Sequence, residues 1–152
     1  GAARVDAANE RLREIARAAG LSFDPDRAPR MPNTLNAHRL IHWAGIEGVQ
    51  SDIVTRLMRA YWEEGRDIGD LDTLADIAAE GGMDRAATLR LLQSDADAED
   101  IAARDADARA KGVNAVPTFL IAQQYVVSGA QPPDLWGKVI AELTPPVESR
   151  LN

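Results

Sequence analysis

The feature that most constrains the fold is a short segment rich in β-branched and aromatic residues, near the end of a chain dominated by alanine and arginine. Residues 114–131, NAVPTFLIAQQYVVSGAQ, contain two apolar runs, PTFLI and YVVSG, joined by Ala122 to Gln124. This pattern predicts an antiparallel hairpin that the chain enters through Pro117. Because a two-stranded hairpin is marginal in water by itself, further structure must complete the sheet.

The rest of the chain predicts a series of helices. Apolar residues recur at helical spacing before Gly20, which predicts an amphipathic helix over residues 4–19. The connector LSFDPDRAPRMPN carries three prolines, which are incompatible with a continuous helix. Further helices are predicted in TLNAHRLIHWAG, DIVTRLMRAYWEEG, LDTLADIAAEGG, RAATLRLLQSD, DADAEDIAARDADARAKG and QPPDLWGKVIAEL, with Asn33 or Thr34, Ser51, Asp70 and Asp84 as N-terminal caps.

Composition excludes several classes of function. The chain has 152 residues, of which 45% are hydrophobic, enough for one domain with a core. A net charge of -7 argues against nucleic acid or an anionic membrane surface as partner, because both require a basic footprint. The apolar runs are far shorter than the roughly 20 residues needed to cross a bilayer. Charges throughout the first twenty residues argue against a signal peptide.

The chain contains no cysteine, which excludes disulfides, cysteine-ligated zinc and cysteine nucleophiles within these residues. The sequence also starts inside a predicted helix without an initiator methionine. We therefore expect it to be a piece of a longer chain.

Two segments resemble a known family. GVNAVPTFLIAQQYVVSGAQPPDLW resembles the closing half of a thioredoxin fold, in which a strand entered by a cis-proline pairs with an antiparallel edge strand under a terminal helix. PNTLNAHRLIHWA, followed by several helices, resembles the helical insertion of the DsbA family, most closely its FrnE-like branch of thiol-disulfide oxidoreductases. The resemblance implies an α/β, thioredoxin-like fold that is mostly helical in this chain. Its expected parts are a helical insertion domain with a preceding helix over 1–112, a β-β-α part over 113–144 and a tail over 145–152.

The same resemblance implies what lies outside this sequence. In the family, a strand, a helix that opens with Cys-x-x-Cys and a second strand precede the segment that starts here. We therefore expect the catalytic cysteines and the partner strands of the hairpin upstream, so that this chain supplies a substrate-binding strand and a helical lid. By itself the cysteine-free chain is predicted to be inactive.

The resemblance places a substrate site at the hairpin. It implies that the peptide bond before Pro117 is cis and that the backbone of Val116 binds a peptide or glutathione by main-chain hydrogen bonds. A trans-proline that simply starts an edge strand is the alternative. Ser128, Gly129 and Ala130 are expected near the same reactive end, the alternative being a plain turn in which glycine adopts a positive φ.

A second group of candidate residues opens the predicted insertion. The family motif places Asn33, Thr34 and His38 beside the active site, where Asn33 orients a substrate and His38 faces the cleft. The alternatives are a helix cap for Asn33 and a partly buried, hydrogen-bonded imidazole for His38. His38 and His42 have the i, i+4 spacing of a metal pair, but the sequence lacks a third ligand with diagnostic spacing, and we expect no metal.

Two rival interpretations remain at this stage. One is a 2-hydroxychromene-2-carboxylate isomerase or kappa-class glutathione transferase, with a serine at the nucleophile position and glutathione as cofactor; under the oxidoreductase interpretation no cofactor is expected. The other is a non-enzymatic helical module that binds a partner or dimerises through its hairpin edge. The expected partners are a protein or small thiol or disulfide substrate and the upstream segment of the same chain. The composition favours a cytoplasmic bacterial protein.

Overall fold

The structure is a computed structural model that describes residues 2–27 and 31–144, so the expected tail over 145–152 lies outside the described residues. The elements are α1 (Ala2–Ala18), α2 (Leu35–Ile46), α3 (Gln50–Trp62), α4 (Leu71–Glu80), α5 (Arg85–Leu92), α6 (Ala98–Ala110), β1 (Thr118–Ile121), β2 (Tyr125–Ser128) and α7 (Pro133–Leu143). The chain divides into two compact units, Gly1–Asp105, here called the helical unit, and Ala106–Asn152, here called the hairpin unit.

The core of the helical unit lies among α2, α3, α4 and α5. Helix α2 packs against each of the other three, and α4 packs against α3 and α5. Four large side chains are fully buried there, namely Leu40, Ile53, Leu74 and Ile77. Alanines on the facing sides of these helices let the backbones approach closely, as at Ala44, Ala60, Ala75 and Ala78. The apolar stripes of the sequence therefore face one another across four helices.

Two of the predicted helix caps are confirmed and one is wrong. The Asp70 side chain accepts a hydrogen bond from the Thr73 amide at 2.8 Å, and Asp84 accepts one from the Ala87 amide at 2.6 Å. Ser51, in contrast, lies inside the first turn of α3, because the helix begins at Gln50. The Ile53 amide donates to the Val49 carbonyl at 3.1 Å, which is the first intrahelical bond of α3 and makes Val49 its N-cap.

Arg39 is a buried cation in the middle of α2. Its side chain is 2% exposed, and all its acceptors are uncharged oxygens at 2.7 to 3.2 Å. Four of these are the main-chain carbonyls of Leu91, Leu92, Ser94 and Ala96, and the fifth is the side-chain oxygen of Asn36. The planar guanidinium has five N–H donors, so it can donate to all five of these oxygens at once.

The Trp43 side chain ties the same loop to α2 one turn further along. Its Nε1 donates to Asp97 Oδ2 at 2.8 Å, and its ring lies 5.0 Å from the Arg39 guanidinium. Asp97 has a φ of 57°, which a residue in a right-handed helix cannot adopt. Helix α6 consequently begins at Ala98, three residues later than the first aspartate of the predicted helical segment.

Helix α1 is confirmed, but its apolar stripe is largely open. Ala16 is buried, whereas Leu12 and Ile15 are 48% and 57% exposed. Arg13 on the same helix pairs with Glu10 and Asp26, which connects α1 to the connector that follows it. The described residues of this unit thus leave an amphipathic helix face accessible to solvent.

The hairpin unit consists of the two strands, α7 and the end of α6. Strands β1 and β2 are antiparallel in the register Thr118 to Ser128, and they form a sheet of only two strands within the described residues. The rings of Phe119 and Trp136 pack edge to face at 4.7 Å, so α7 contacts one face of the hairpin through this pair. On the other face, the cross-strand pair Leu120 and Val126 is 65% and 66% exposed. Both faces of the hairpin therefore remain accessible to solvent, because Phe119 is also 38% exposed.

We expect that replacing Arg39 with methionine destabilises the helical unit strongly. Methionine fills much of the same volume but leaves the bound carbonyls without a donor, and breaking a buried charged network costs about 3 to 5 kcal/mol. Arg90→Met, on the exposed surface of α5, is the matched control and should change the free energy of unfolding by less than about 0.5 kcal/mol. Urea denaturation followed by circular dichroism measures both, and similar losses would contradict the assigned role.

We expect Asp70 to make stability depend on pH in the acidic range. Hydrogen bonds from Thr73, the backbone one first, lower the pKa of the Asp70 carboxyl below its ordinary value of 3.8. The ionised form therefore stabilises the folded state above that value, and this contribution is lost as the pH falls through the lower, folded pKa. Asparagine caps helices about as well as aspartate but does not titrate there.

The free energy of unfolding of the unmodified chain should thus fall more steeply than that of Asp70→Asn on acidification from about pH 5 to about pH 2, while the two agree within about 0.5 kcal/mol at neutral pH. Urea titrations at several pH values provide the measurement. Parallel pH profiles would show that the cap does not contribute through its charge.

Candidate functional site

The backbone at the entrance of the hairpin is fixed on both sides of Val116. The Thr118 hydroxyl donates to the Ala115 carbonyl at 2.6 Å, and the Gly129 amide donates to the Pro117 carbonyl at 2.7 Å. The second bond extends the β1–β2 ladder by one residue pair, while Pro117 itself has no N–H to return. The peptide bond between Val116 and Pro117 is cis.

Val116 itself is open to solvent, with 90% of its surface exposed. Among the described residues, neither its backbone N–H nor its carbonyl has a hydrogen-bond partner. Exposed main-chain groups without partners next to a sheet can bind a peptide by main-chain hydrogen bonds, as in strand addition. The geometry at Val116 suits an extended peptide.

The turn after β2 lies at the same end of the hairpin. Ser128 is paired with Thr118 across the ladder, and Gly129 has a φ of 81°, a conformation that glycine adopts without steric cost. The Ser128 carbonyl accepts a hydrogen bond from the Gln131 side chain at 3.0 Å. The structure thus brings Pro117, Ser128 and Gly129 together, with the Gly129 amide already engaged inside the chain.

The three predicted residues at the start of α2, Asn33, Thr34 and His38, have different roles in the structure. Asn33 Oδ1 accepts a hydrogen bond from the Leu35 amide at 3.0 Å, so this side chain does the capping. Thr34 occupies the N-cap position, yet its hydroxyl makes no cap hydrogen bond. His38 is exposed rather than partly buried, and among the described residues its imidazole has no hydrogen-bond partner. Thr34 and His38 are therefore both free to contact a ligand.

These two residues line an apolar pocket, here called the α2–α3 pocket, with a cavity volume of about 100 Å³. It is lined by Thr34, Ala37, His38, Ile41, Val54, Leu57, Met58, Tyr61, Trp62 and Ile68. Asn33 is outside the lining. The sequence alone did not reveal this pocket, because its apolar members lie on the same helical stripes as the core residues. Only the packing of α2 and α3 distinguishes a pocket wall from a filled interface.

The His42 side chain approaches helix α6. Its Nδ1 lies 3.5 Å from the guanidinium Nη1 of Arg104 in α6. Within residues 2–27 and 31–144, no three histidine, aspartate or glutamate side chains cluster closely enough to hold a metal ion. The same part of the chain contains no helix with the length and hydrophobicity to span a membrane.

The fold and the hairpin site define the class of protein. Residues 2–141 match the family of DSBA-like thioredoxin domains, and the chain belongs to this family. The prediction of a DsbA-family, thioredoxin-like fold with a helical insertion and a C-terminal β-β-α part is thus confirmed.

Two relatives show the extent of the similarity. The chain is 29% identical over 133 residues to the uncharacterized protein YwbO of Bacillus subtilis (strain 168), covering 86% of this chain and 66% of YwbO. The crystal structure of a probable DsbA oxidoreductase from Streptomyces coelicolor matches with a TM-score of 0.83 at 24% identity, covering 97% of this chain and 64% of that one. This chain therefore spans about two thirds of the length of each relative.

We expect the two neighbours at the start of α2 to differ in their effect on stability. Asn33→Ala removes the bond to the Leu35 amide and should lower the free energy of unfolding by about 1 kcal/mol. Thr34→Ala removes no cap bond and should lower it by less than about 0.5 kcal/mol. Chemical denaturation of both variants checks this difference, and a larger loss for Thr34→Ala would reassign the cap.

Proposed function

We propose that this chain is the substrate-binding part of a protein disulfide oxidoreductase of the FrnE-like branch, which carries out thiol-disulfide exchange. Membership of the DSBA-like thioredoxin family supports the reaction class. The observation that carries the proposal is Val116, which is 90% exposed beside a fixed hairpin and has free main-chain groups. The substrate segment pairs with this backbone as an added strand.

The proposed division of labour separates binding from chemistry. Val116 and Pro117 hold the substrate main chain, Ser128 and Gly129 shape the end of the hairpin, and the helical unit acts as a lid. The nucleophile is a cysteine thiolate encoded upstream of this chain. It attacks one sulfur of the substrate disulfide to form a mixed disulfide and releases the other sulfur as a thiolate, and a second cysteine then displaces the first sulfur of the substrate.

Three observations fit this division. The 152 residues contain no cysteine, so the nucleophile must come from elsewhere if the reaction is disulfide exchange. About a third of each relative has no counterpart in this chain. The hairpin leaves Leu120 and Val126 exposed, a surface suited to further secondary structure. We propose a cytoplasmic protein whose substrates are protein or small-molecule disulfides.

The test compares this chain with the longer product of its gene. The longer protein should catalyse the reduction of insulin by dithiothreitol, and this chain should not, because it has no thiol. In the longer protein, Val116→Pro removes one main-chain donor and should lower kcat/KM about tenfold. Val116→Ala keeps the donor and should change kcat/KM by less than about twofold.

Circular dichroism melts of both Val116 variants serve as the folding control. Turnover by this chain alone would overturn the division of labour. An upstream serine in place of the cysteines, with activity only on glutathione conjugates, would instead favour the glutathione-dependent isomerase and transferase relatives. Equal activity of the proline and alanine variants would remove Val116 from the substrate site.

A further inference from the structure

The hairpin unit differs from the helical unit in having no buried core within the described residues. We propose that the hairpin unit opens, in the sense of losing its strand pairing, separately from the helical unit, and that the upstream part of the protein keeps it closed by covering its exposed apolar side chains. The substrate-binding backbone at Val116 is then ordered only while the hairpin is closed. This inference rests on the proposed function in one respect, since it takes Val116 as the substrate site.

The two units differ first in apolar burial. The helical unit contains a cluster of buried apolar side chains, of which Leu40, Ile53, Leu74 and Ile77 are fully buried. Within residues 106–144 of the hairpin unit, no side chain is buried. The hydrophobic free energy of folding scales with the apolar area removed from water, so side chains that stay in contact with water contribute little. Apolar burial therefore opposes opening of the helical unit far more than opening of the hairpin unit.

The strand pairing of the hairpin is short. Strands β1 and β2 pair over four residues each, and the bond from the Gly129 amide to the Pro117 carbonyl adds one further position. Hydrogen-bonded and non-hydrogen-bonded pairs alternate along an antiparallel ladder, so this bond makes Phe119 and Val127 a hydrogen-bonded pair. A hairpin of two strands needs a third strand or a well-packed helix to be stable in water. The Phe119 amide therefore measures how often the hairpin opens.

Helix α7 approaches the hairpin through an aromatic pair without burying its own apolar stripe. The rings of Phe119 and Trp136 pack at 4.7 Å. Ile140 and Leu143 follow Trp136 at helical spacing, yet they are 63% and 40% exposed. The apolar side chains of α7 and of the hairpin are therefore available for further burial, and regions with few buried apolar contacts open most easily.

Helix α6, in which the boundary between the units falls, can persist when the hairpin opens. It has no buried residue, so opening of the hairpin removes no buried contact from it. Arg104 pairs with Asp100 and Lys111 pairs with Asp107, both at 2.6 Å and four residues apart. Pairs with this spacing stabilise a helix locally. Opening of the hairpin unit therefore need not extend to the core of the helical unit.

The cover that we assign is a segment of the same protein rather than a separate partner. About a third of each relative has no counterpart in this chain. Thr118 and Leu120 occupy the non-hydrogen-bonded pairs of the ladder, so their main-chain groups point away from β2, toward the position of a third strand. A strand of the same protein adds there without a bimolecular encounter, which gives it a higher effective concentration than a separate peptide has.

The experiment is a urea titration of this chain followed by the indole N–H signals of its three tryptophans in NMR spectra. Trp43 and Trp62 lie in the helical unit and Trp136 lies in the hairpin unit. The Trp136 signal should change at a urea midpoint at least about 1 M below the midpoint of the other two. In water, the Phe119 amide should exchange with solvent at least about a hundredfold faster than the Leu74 amide, relative to unstructured peptides. A single midpoint for all three tryptophans would overturn the proposal.

Two variants, one in each unit, provide the matched control. Trp136→Ala removes the ring that packs on Phe119 and should abolish the remaining protection of the Phe119 amide, while the exchange rate of the Leu74 amide stays within about twofold. Ile77→Val removes one buried methylene from the helical core and should speed exchange of the Leu74 amide about fivefold, with the Phe119 amide unchanged within about twofold. If either variant changed both amides in proportion, the two units would open together and the proposal would fail.

The longer product of the gene tests the assigned cover. In that protein the Phe119 amide should be protected to within about tenfold of the Leu74 amide, because the hairpin is closed. A Phe119 amide that exchanges as fast there as in this chain would overturn the cover. Protection that increases with the concentration of this chain would identify a second copy as the cover and contradict our assignment.

These measurements need no turnover, so the inference and the disulfide chemistry can fail separately. An inactive longer protein with a protected Phe119 amide would refute the proposed function and leave the covered hairpin. An active longer protein with an unprotected Phe119 amide would refute the cover alone.

Discussion

The helical unit depends on one buried cation. Arg39 donates to four main-chain carbonyls, two in the last turn of α5 and two in the segment between α5 and α6, and so holds this part of the chain against α2. The guanidinium gives these carbonyls a donor, while Leu92 and Ala96 of the same part of the chain pack on the apolar core. Trp43 extends the contact to Asp97, where α6 begins. These bonds set the position of α2, and the pocket lies on another side of the same helix.

Helix α2 thus combines two roles on different faces. One face carries Arg39, which is internal and structural, and another carries Thr34 and His38, which remain exposed at the α2–α3 pocket. A polar network that is fully satisfied makes a rigid support, and binding groups are most effective on such supports. The buried arginine thus fixes the helix on which these two exposed side chains lie.

In the hairpin unit the candidate site consists of exposed groups rather than of a satisfied polar network. Phe119 packs on Trp136, so α7 stabilises one face, while Val116 and the pair Leu120 and Val126 remain accessible. Main-chain N–H and C=O groups without hydrogen-bond partners destabilise a protein when they are buried. When they are exposed, an added peptide strand can pair with them. Membership of the DSBA-like thioredoxin family accounts for the presence of a helical unit and such a hairpin in one chain, because the family match covers residues 2–141.

The sequence by itself determined the helices, the hairpin and the caps at Asp70 and Asp84, because these depend on hydrogen bonds and periodicity within a few residues. Tertiary structure alone decided that Arg39 is buried and that Thr34 and His38 border a pocket. Each of these is set by a partner on another helix, such as the Leu91 carbonyl, 52 positions from Arg39. Spacing along one helix shows which side chains share a face, but only packing decides whether that face is filled.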